Sequence, residues 1–226
     1  MDTVLKVNNV SYAYVSRYQK VEAVKHATCA FEAGKFYAIM GRSGSGKSTI
    51  LSLLAGLDVP TAGEILFEGR TLSGINRDRY RRDTASVIYQ SFNLFPLLTA
   101  LENVMYPMEL QGKKRREAAP VAAGLLMEVG LDEKTHRKFP QMMSGGEQQR
   151  VAIARALAAG GKILLADEPT GNLDTANEKM VVELIKTLAH ERGYTVVVVT
   201  HNDDVASQAD RIYIMSDGEL KSNASS

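Results

Sequence analysis

Short uninterrupted runs of apolar residues, each ending at a glycine or a polar residue, are the main pattern along this chain. Residues 36–40 end at a glycine-rich loop, residues 162–166 end at two carboxylates, and residues 195–200 end at a histidine. Such runs are typical of buried parallel strands that are joined by helices. Residues 47–55 and 175–190 show the apolar spacing of helices with one buried face. The pattern therefore predicts an α/β fold with a mostly parallel core sheet.

The remaining parts of the chain have other patterns. Three short β-favouring segments, separated by turns, predict a small N-terminal antiparallel β subdomain: residues 4–7, 10–15 and 65–67. Residues 92–161 are rich in Ala, Leu, Met and Glu and have no β-branched runs, which predicts a helical subdomain inserted into the core. We therefore expect a single domain over residues 1–226, whose core is formed by residues 1–91 and 162–226.

The composition narrows the classes of protein that this chain can belong to. Its 226 residues contain 27 Lys and Arg against 26 Asp and Glu, a net charge of +1, whereas dedicated nucleic-acid binders usually carry a basic excess. A single cysteine, Cys29, excludes internal disulfides and cysteine-rich zinc modules. No secretory leader pattern is present, and no apolar stretch approaches the roughly 18 to 20 residues of a membrane helix. These features predict a soluble globular protein of a reducing compartment.

A glycine-rich loop follows the first core strand and precedes a helix, as in phosphate-binding loops. Its glycines let successive backbone N–H groups turn towards an anion, and the helix N-terminus adds the positive end of its dipole. Lys47 is placed to reach the β- and γ-phosphates of a nucleotide, and the Ser48 hydroxyl is placed to bind Mg²⁺. A plain Gly/Ser turn is the alternative. The candidate phosphate-binding residues are Gly41, Arg42, Ser43, Gly44, Ser45, Gly46, Lys47, Ser48 and Thr49.

Two neighbouring carboxylates end the apolar run at residues 162–166. Asp167 has the position of an outer-shell Mg²⁺ partner at the carboxyl edge of a parallel sheet, where ligands bind in such folds. Glu168 would project towards the γ-phosphate, where it could orient or deprotonate an attacking water. Without a phosphate-binding loop, both acids could equally form a polar strand end. His201, which ends another strand, is either a γ-phosphate ligand or a structural histidine.

A second candidate anion site lies at residues 144–150. Ser144 and Glu147 have the spacing of a capping box, so a helix is expected to begin here. The two glycines between them leave backbone N–H groups at the helix N-terminus accessible to an anion. A well-capped helix without a ligand is the alternative. One mononucleotide does not need two such sites from the same chain.

Residues 144–150 resemble the signature motif of the ATP-binding-cassette (ABC) ATPases, Leu-Ser-Gly-Gly-Gln, and the resemblance covers nearly the whole chain. It implies the P-loop NTPase fold of the ABC ATPases, with ATP and Mg²⁺ as cofactors. Tyr14 matches the aromatic residue that stacks on adenine, with Tyr12 as a neighbour that could be confused with it. Gln90 matches the glutamine that reaches Mg²⁺ and the attacking water, and His201 matches the γ-phosphate histidine. The implied Mg²⁺ ligands are Ser48, Gln90 and Asp167.

The resemblance also implies a head-to-tail dimer in which two ATP molecules are buried at one interface. The phosphate-binding loop of one subunit would face the signature residues of the other: Ser144, Gly145, Gly146 and Glu147. Residues 171–174 match the loop that crosses to the partner subunit, and Asp174 ends this loop. The dimer could consist of two copies of this chain or of this chain and a different cassette.

The signature departs from the family pattern at two positions. Met143 replaces the usual leucine, which we expect to be a mild change in packing. Glu147 replaces the usual glutamine, which removes a hydrogen-bond donor and adds a negative charge near the phosphates. The geometry of a capping box could turn this carboxylate away from the nucleotide. Related subfamilies also carry glutamate at this position. We therefore do not infer an inactive site.

Residues 90–96 and 98–104 look most like the macrolide-exporter, lipoprotein-release and antimicrobial-peptide-resistance group of ABC transporters. This resemblance implies an ATP-hydrolysing motor subunit, peripheral at the cytoplasmic face of the cell membrane, that drives a separate permease for a drug, peptide or lipoprotein. No nucleic-acid partner is expected. One alternative is a soluble, non-transport ABC ATPase acting on DNA or ribosomes. A small-molecule kinase with a phosphate-binding loop is another, but it would not account for residues 144–150 and 171–174.

Overall fold

Ten strands and eight α-helices form the part of the chain that the structure, a computed structural model, describes: residues 2–222. The strands are β1 (Thr3–Val15), β2 (Lys20–Glu32), β3 (Phe36–Met40), β4 (Ala62–Phe67), β5 (Arg70–Thr71), β6 (Ala85–Ile88), β7 (Ile163–Asp167), β8 (Thr195–Thr200), β9 (Arg211–Ser216) and β10 (Glu219–Ser222). The helices are α1 (Lys47–Leu54), α2 (Arg77–Asp83), α3 (Ala100–Leu110), α4 (Arg115–Glu128), α5 (Glu133–His136), α6 (Gly145–Ala158), α7 (Thr175–His190) and α8 (Asp203–Ala206). Residue 1 and residues 223–226, which the predicted domain includes, lie outside the described residues.

The core sheet has six strands in the order β10-β9-β3-β8-β7-β6. All pairs between β9 and β6 are parallel, and only β10 pairs antiparallel with β9. The apolar runs explain this arrangement, because all six residues of β8 and the first four of β3 and β7 are buried. The parallel order brings the carboxyl ends of β3, β7 and β8 to the same edge.

The second sheet is antiparallel, with the order β2-β1-β4-β5. The prediction of separate strands at residues 4–7 and 10–15 is wrong, because both lie in the single 13-residue strand β1. Asn9 and His26, both with φ of +49°, lie at two successive shifts in the register of β1 and β2, with the extra residue on β1 in the first and on β2 in the second. The pair Asn8 and Asn9, whose residue type favours a turn, thus forms a bulge within β1 and does not end the strand.

The second of these shifts, at His26, explains why the sequence pattern did not predict β2. The buried residues of β2 are Val24, Ala27, Cys29 and Phe31, so the alternation of period two is broken between the first and the second. Cys29 is only 7% exposed and belongs to the apolar core beneath this sheet.

The helical segment lies between β6 and β7. Residues 92–161 contain α3 to α6 and no strand, as predicted, and α3, α4 and α6 pack around buried residues such as Met105, Met108 and Leu126. The boundaries of the subdomains remain a prediction. In the described part of the chain, none of the helices combines the length and the apolar character needed to cross a bilayer.

Candidate functional site

A cleft of about 1000 Å³ opens at the carboxyl edge of the core sheet. The loop between β3 and α1 forms one wall, and residues that follow β6, β7 and β8 form another. Twelve of the residues singled out in the sequence line this cleft together: Tyr14, Arg42, Ser43, Gly44, Gly46, Lys47, Ser48, Thr49, Gln90, Asp167, Glu168 and His201.

The glycine-rich loop is held by close backbone contacts. Gly46 has φ of +106°, and a Cβ atom here would lie 2.2 Å from the Ala23 carbonyl oxygen, so only glycine fits. Lys47 is buried, and its Nζ donates to the carbonyl oxygens of Gly41 at 2.7 Å and Arg42 at 3.2 Å. Because Gly46 has no side chain to cap α1, the first N–H groups of this helix remain available to an anion.

Gly41 and Ser45 do not line the cleft, although they belong to the same loop. A Cβ atom at Gly41 would lie 2.2 Å from the Met215 carbonyl oxygen, and Ser45 is buried. The Ser45 carbonyl accepts a hydrogen bond from Gly218 N at 3.1 Å. These two residues therefore fix the loop against the β9–β10 hairpin.

Ser48 and Asp167 are brought together from different parts of the chain. Ser48 Oγ donates to Asp167 Oδ1 at 3.3 Å. Burial raises the pKa of the Asp167 carboxyl, and the hydrogen bond from Ser48 opposes this rise. Gln90 lines the same cleft, and its backbone carbonyl oxygen accepts a hydrogen bond from Asn172 Nδ2 at 3.0 Å.

The Glu168 carboxylate is fixed by the residues that end β8. Its Oε1 lies 2.8 Å from His201 Nδ1, and its Oε2 accepts a hydrogen bond from Thr200 Oγ1 at 3.2 Å. The Glu168 backbone has φ of +47°, a left-handed conformation that costs energy for a residue with a side chain. Its amide donates to the Val199 carbonyl at 3.0 Å. These contacts fix the orientation of the carboxylate in the cleft.

Of the two candidate adenine-stacking tyrosines, Tyr14 lines the cleft and Tyr12 does not. Tyr14 is 49% exposed, and its hydroxyl lies 3.3 Å from Thr49 Oγ1. The Tyr12 ring packs edge-on against Tyr14, with centroids 5.0 Å apart. This geometry favours Tyr14 as the stacking residue.

The signature residues and Asp174 lie outside the cleft of their own chain. Ser144 caps α6 with its Oγ, which accepts from Glu147 N at 3.2 Å, and Glu147 Oε2 accepts from Ser144 N at 2.7 Å. The predicted capping box is therefore formed. Asp174 caps α7, and its Oδ1 accepts from Asn177 N at 2.9 Å. Hydrogen bonds from Asn177 lower the pKa of the Asp174 carboxyl.

Some cleft residues were missed in the sequence: Val21, Glu22, Ala23, Lys25, Asp217 and Gly218. They lie on β2 and on the turn between β9 and β10. An Asp-Gly pair with positive φ at both residues is the usual two-residue hairpin turn, so its sequence could have predicted a hairpin. Its proximity to the phosphate-binding loop depends on the tertiary fold.

Arg155 of α6 was also missed, although it contacts the segment that follows Gln90. Its guanidinium donates to the carbonyl oxygens of Asn93 at 2.6 Å and Phe92 at 3.1 Å, and lies 5.8 Å from the centre of the Phe95 ring. Phe92 and Asn93 both have positive φ, +61° and +49°. Arg155 therefore stabilises an unfavourable backbone turn between Gln90 and the helical segment.

We expect Arg155→Met to lower the free energy of unfolding by about 1–3 kcal/mol, because it leaves the exposed Asn93 carbonyl and the partly buried Phe92 carbonyl without their donor. Thermal denaturation would measure this as a decrease in Tm. Arg192→Met is the control, since its ion pair with Glu128 is half exposed and is expected to contribute about 1 kcal/mol or less. Equal losses in both variants would contradict the importance of the Arg155 contacts.

Comparison with known proteins identifies the family. The ABC transporter family model matches residues 24–171. An uncharacterised ABC transporter ATP-binding protein of Mycobacterium tuberculosis is 41% identical over 220 residues, covering 96% of this chain and 88% of the relative. The lipoprotein-releasing system ATP-binding protein LolD of Syntrophotalea carbinolica is 40% identical, with 96% of each chain covered. The macrolide export ATP-binding/permease protein MacB of Brucella melitensis is 45% identical over 90% of this chain, which corresponds to 32% of MacB.

Solved structures give the same result for the fold. A dimeric structure of MJ0796, a bacterial ABC transporter cassette, matches with a TM-score of 0.89 at 40% identity, covering 96% of each chain. A dimeric post-hydrolysis state of that cassette, bound to ADP and Pi, matches equally well. The predicted ABC ATPase fold and the resemblance to the macrolide-exporter and lipoprotein-release group are both confirmed. The chain belongs to the ABC transporter family, as one of its ATPase cassettes.

Proposed function

We propose that this chain is the ATP-hydrolysing motor subunit of an ABC transporter, and that it drives a separate membrane permease that moves a drug, peptide or lipoprotein. One observation carries the proposal: the phosphate-binding loop, Asp167, Glu168 and Gln90 meet in a single cleft, whereas the signature residues of the same chain lie outside it. A second cassette can supply the missing signature. This chain has both halves of such a site, so two copies of it would form two complete sites.

ATP would occupy the cleft with its phosphates on the glycine-rich loop. The N–H groups at the start of α1 and the Lys47 ammonium neutralise phosphate charge. Lys47 can exchange its bonds to the Gly41 and Arg42 carbonyls for bonds to phosphate oxygens. Tyr14 stacks on the base, and Thr49, next to its hydroxyl, borders the phosphates.

Mg²⁺ fits the oxygen-rich side of this cleft. Residues 2–222 contain no group of three or more His, Cys, Asp or Glu side chains that could hold a metal by themselves. Ser48, Asp167 and Gln90 supply oxygen atoms, the donors that Mg²⁺ prefers, and the nucleotide would complete the coordination. When bound, Mg²⁺ neutralises charge on the β- and γ-phosphates.

Glu168 is the general base of the proposed reaction. Its carboxylate orients a water molecule in line with the γ-phosphorus and accepts the proton that the water loses as the new P–O bond forms. Contacts from His201 and Thr200 hold this carboxylate in place, and the second ring nitrogen of His201 would donate to a γ-phosphate oxygen. The bond from the γ-phosphorus to the oxygen that bridges the β- and γ-phosphates breaks, this oxygen leaves with ADP, and the products are ADP and inorganic phosphate.

The γ-phosphate connects hydrolysis to movement. In the proposed dimer, Ser144, Gly145 and Gly146 of one copy bind the γ-phosphate held by the loop of the other, so closure depends on ATP. Cleavage removes this bridge and opens the dimer. The helical segment, joined to the cleft through Gln90 and Arg155, would transmit the motion to a permease at the cytoplasmic face of the membrane.

Turnover and assembly measurements test the proposal. We expect the ATPase rate per chain to rise with protein concentration to a plateau, to require Mg²⁺, and to be absent with a non-hydrolysable ATP analogue. A membrane permease should co-purify with the tagged chain from its own cells. A rate per chain that does not depend on concentration, from a protein that stays monomeric with ATP, would contradict the dimer. Phosphate transfer to a metabolite instead of water would favour a kinase.

A further inference from the structure

Glu147 places a negative charge where the proposed dimer needs a positive one. It lies in the first turn of α6, next to the glycines that would bind the γ-phosphate of the second copy. A helix N-terminus attracts anions, and an ionised side chain at the same end competes with a phosphate for that field. The chain therefore requires a group that offsets this carboxylate.

Lys138 is that group. Its Nζ donates to Glu147 Oε1 at 2.8 Å, while Glu147 Oε2 accepts from Ser144 N at 2.7 Å. Both carboxylate oxygens of Glu147 therefore accept hydrogen bonds from residues near the N-terminal cap of α6. The hydrogen bond from Lys138 is the main reason why the pKa of the Glu147 carboxyl is lowered. A lysine side chain in direct contact with this carboxylate offsets its negative charge.

The backbone of Lys138 is anchored between two helices. Its backbone carbonyl oxygen accepts a hydrogen bond from Ala100 N, at the start of α3, at 2.9 Å. Its backbone amide donates to the carbonyl oxygen of Thr135, within α5, at 3.0 Å. The side chain of Lys138 is 32% exposed and that of Glu147 is 21% exposed. An ion pair that is this shielded and anchored keeps more of its energy than an exposed one.

We propose that Lys138 is a positioning residue for ATP-dependent dimerisation. Its ammonium neutralises Glu147 and keeps that carboxylate in the capping box, so that the N–H groups of Gly145 and Gly146 can bind the phosphate held by a second copy. This inference rests on the proposed function. It also explains how the chain uses glutamate where the family signature has glutamine.

A double-mutant cycle in the Glu168→Gln background tests the inference. The ATP concentration for half-maximal dimerisation would be measured by analytical ultracentrifugation. Lys138→Met should raise it by roughly tenfold or more, whereas the same change in a chain that also carries Glu147→Gln should raise it by about threefold or less, because glutamine keeps the cap without the charge. Lys134→Met is the matched control, since Lys134, Lys138 and Glu147 line one groove but only Lys138 pairs with Glu147, and no change is expected.

Two outcomes of the cycle would overturn the inference. The first is that Lys138→Met dimerises at the same ATP concentration as the chain with Lys138, and the second is that Lys138→Met raises this concentration equally whether position 147 is Glu or Gln. Hydrogen exchange of residues 144–150 without nucleotide separates this inference from the proposed function. Lys138→Met should speed exchange of the Ser144 amide, and unchanged exchange would also overturn the role of Lys138. If the Glu168→Gln chain itself stays monomeric at saturating ATP, the proposed function fails, whatever the exchange shows.

Discussion

Glu168→Gln is expected to lower ATP turnover by about 10²- to 10⁴-fold and to trap an ATP-bound dimer. Glutamine has nearly the same shape and can occupy the same left-handed backbone position, but it cannot take a proton from water. Thr200 and His201 can still bind its amide, since the histidine can change tautomer. Binding of ATP should therefore persist while its cleavage does not. Steady-state phosphate release and sedimentation with ATP measure the two effects.

The control for this variant is Glu183→Gln. Glu183 lies on α7, is 68% exposed and pairs only with the neighbouring Lys186 within the described residues. We expect normal turnover and an ATP-driven dimer that dissociates as ATP is consumed. If Glu168→Gln hydrolysed ATP at the native rate and stayed monomeric, Glu168 would not be the general base.

Gly46→Ala is expected to abolish ATP binding or to lower the free energy of unfolding by about 2–4 kcal/mol. The added Cβ would lie 2.2 Å from the Ala23 carbonyl oxygen and 2.7 Å from Met215 Cε, and the backbone φ of +106° is unfavourable for alanine. The loop must therefore move away from β2, which displaces the N–H groups that would bind phosphate. Urea denaturation and titration with a fluorescent ATP analogue measure the two effects.

Gly69→Ala, in the turn between β4 and β5, is the matched control outside the cleft. Gly69 also has positive φ, +76°, but a Cβ atom here would meet nothing within 4 Å among the described residues. We expect only the left-handed penalty of about 1–2 kcal/mol and continued ATP binding. If both variants lost the same stability and affinity, the contact with Ala23 would not be the reason why position 46 requires glycine.

The core of the fold could be predicted because its patterns are local. Buried parallel strands at β3, β7 and β8 leave unbroken apolar runs, and α7 shows regular helical spacing over the predicted range. The sheet of β1 and β2 could not be predicted in this way. One bulge at Asn9 breaks the alternation in β1 and another at His26 breaks it in β2, and each bulge is defined by the pairing of two different segments of the chain.

The residues of the candidate site also divide into those that a local sequence pattern predicts and those that it does not. Lys47, Asp167 and Glu168 were found because each lies directly after a recognisable strand or within a recognisable loop. Arg155 and Lys138 were not, because a charged residue on a helix or loop gives no sign of its partner. Their partners are backbone carbonyls 62 and 63 positions away in the sequence for Arg155, and the cap of α6 for Lys138.

The burial of Cys29 has a practical consequence for labelling chemistry. Burial raises the pKa of this thiol to about 12, so almost none of it is the reactive thiolate at neutral pH. Maleimide reagents should therefore leave the native chain unmodified while it is folded. A cysteine introduced at an exposed position would then be the single reactive thiol, and a fluorescent pair on two copies could report opening and closing without removal of Cys29.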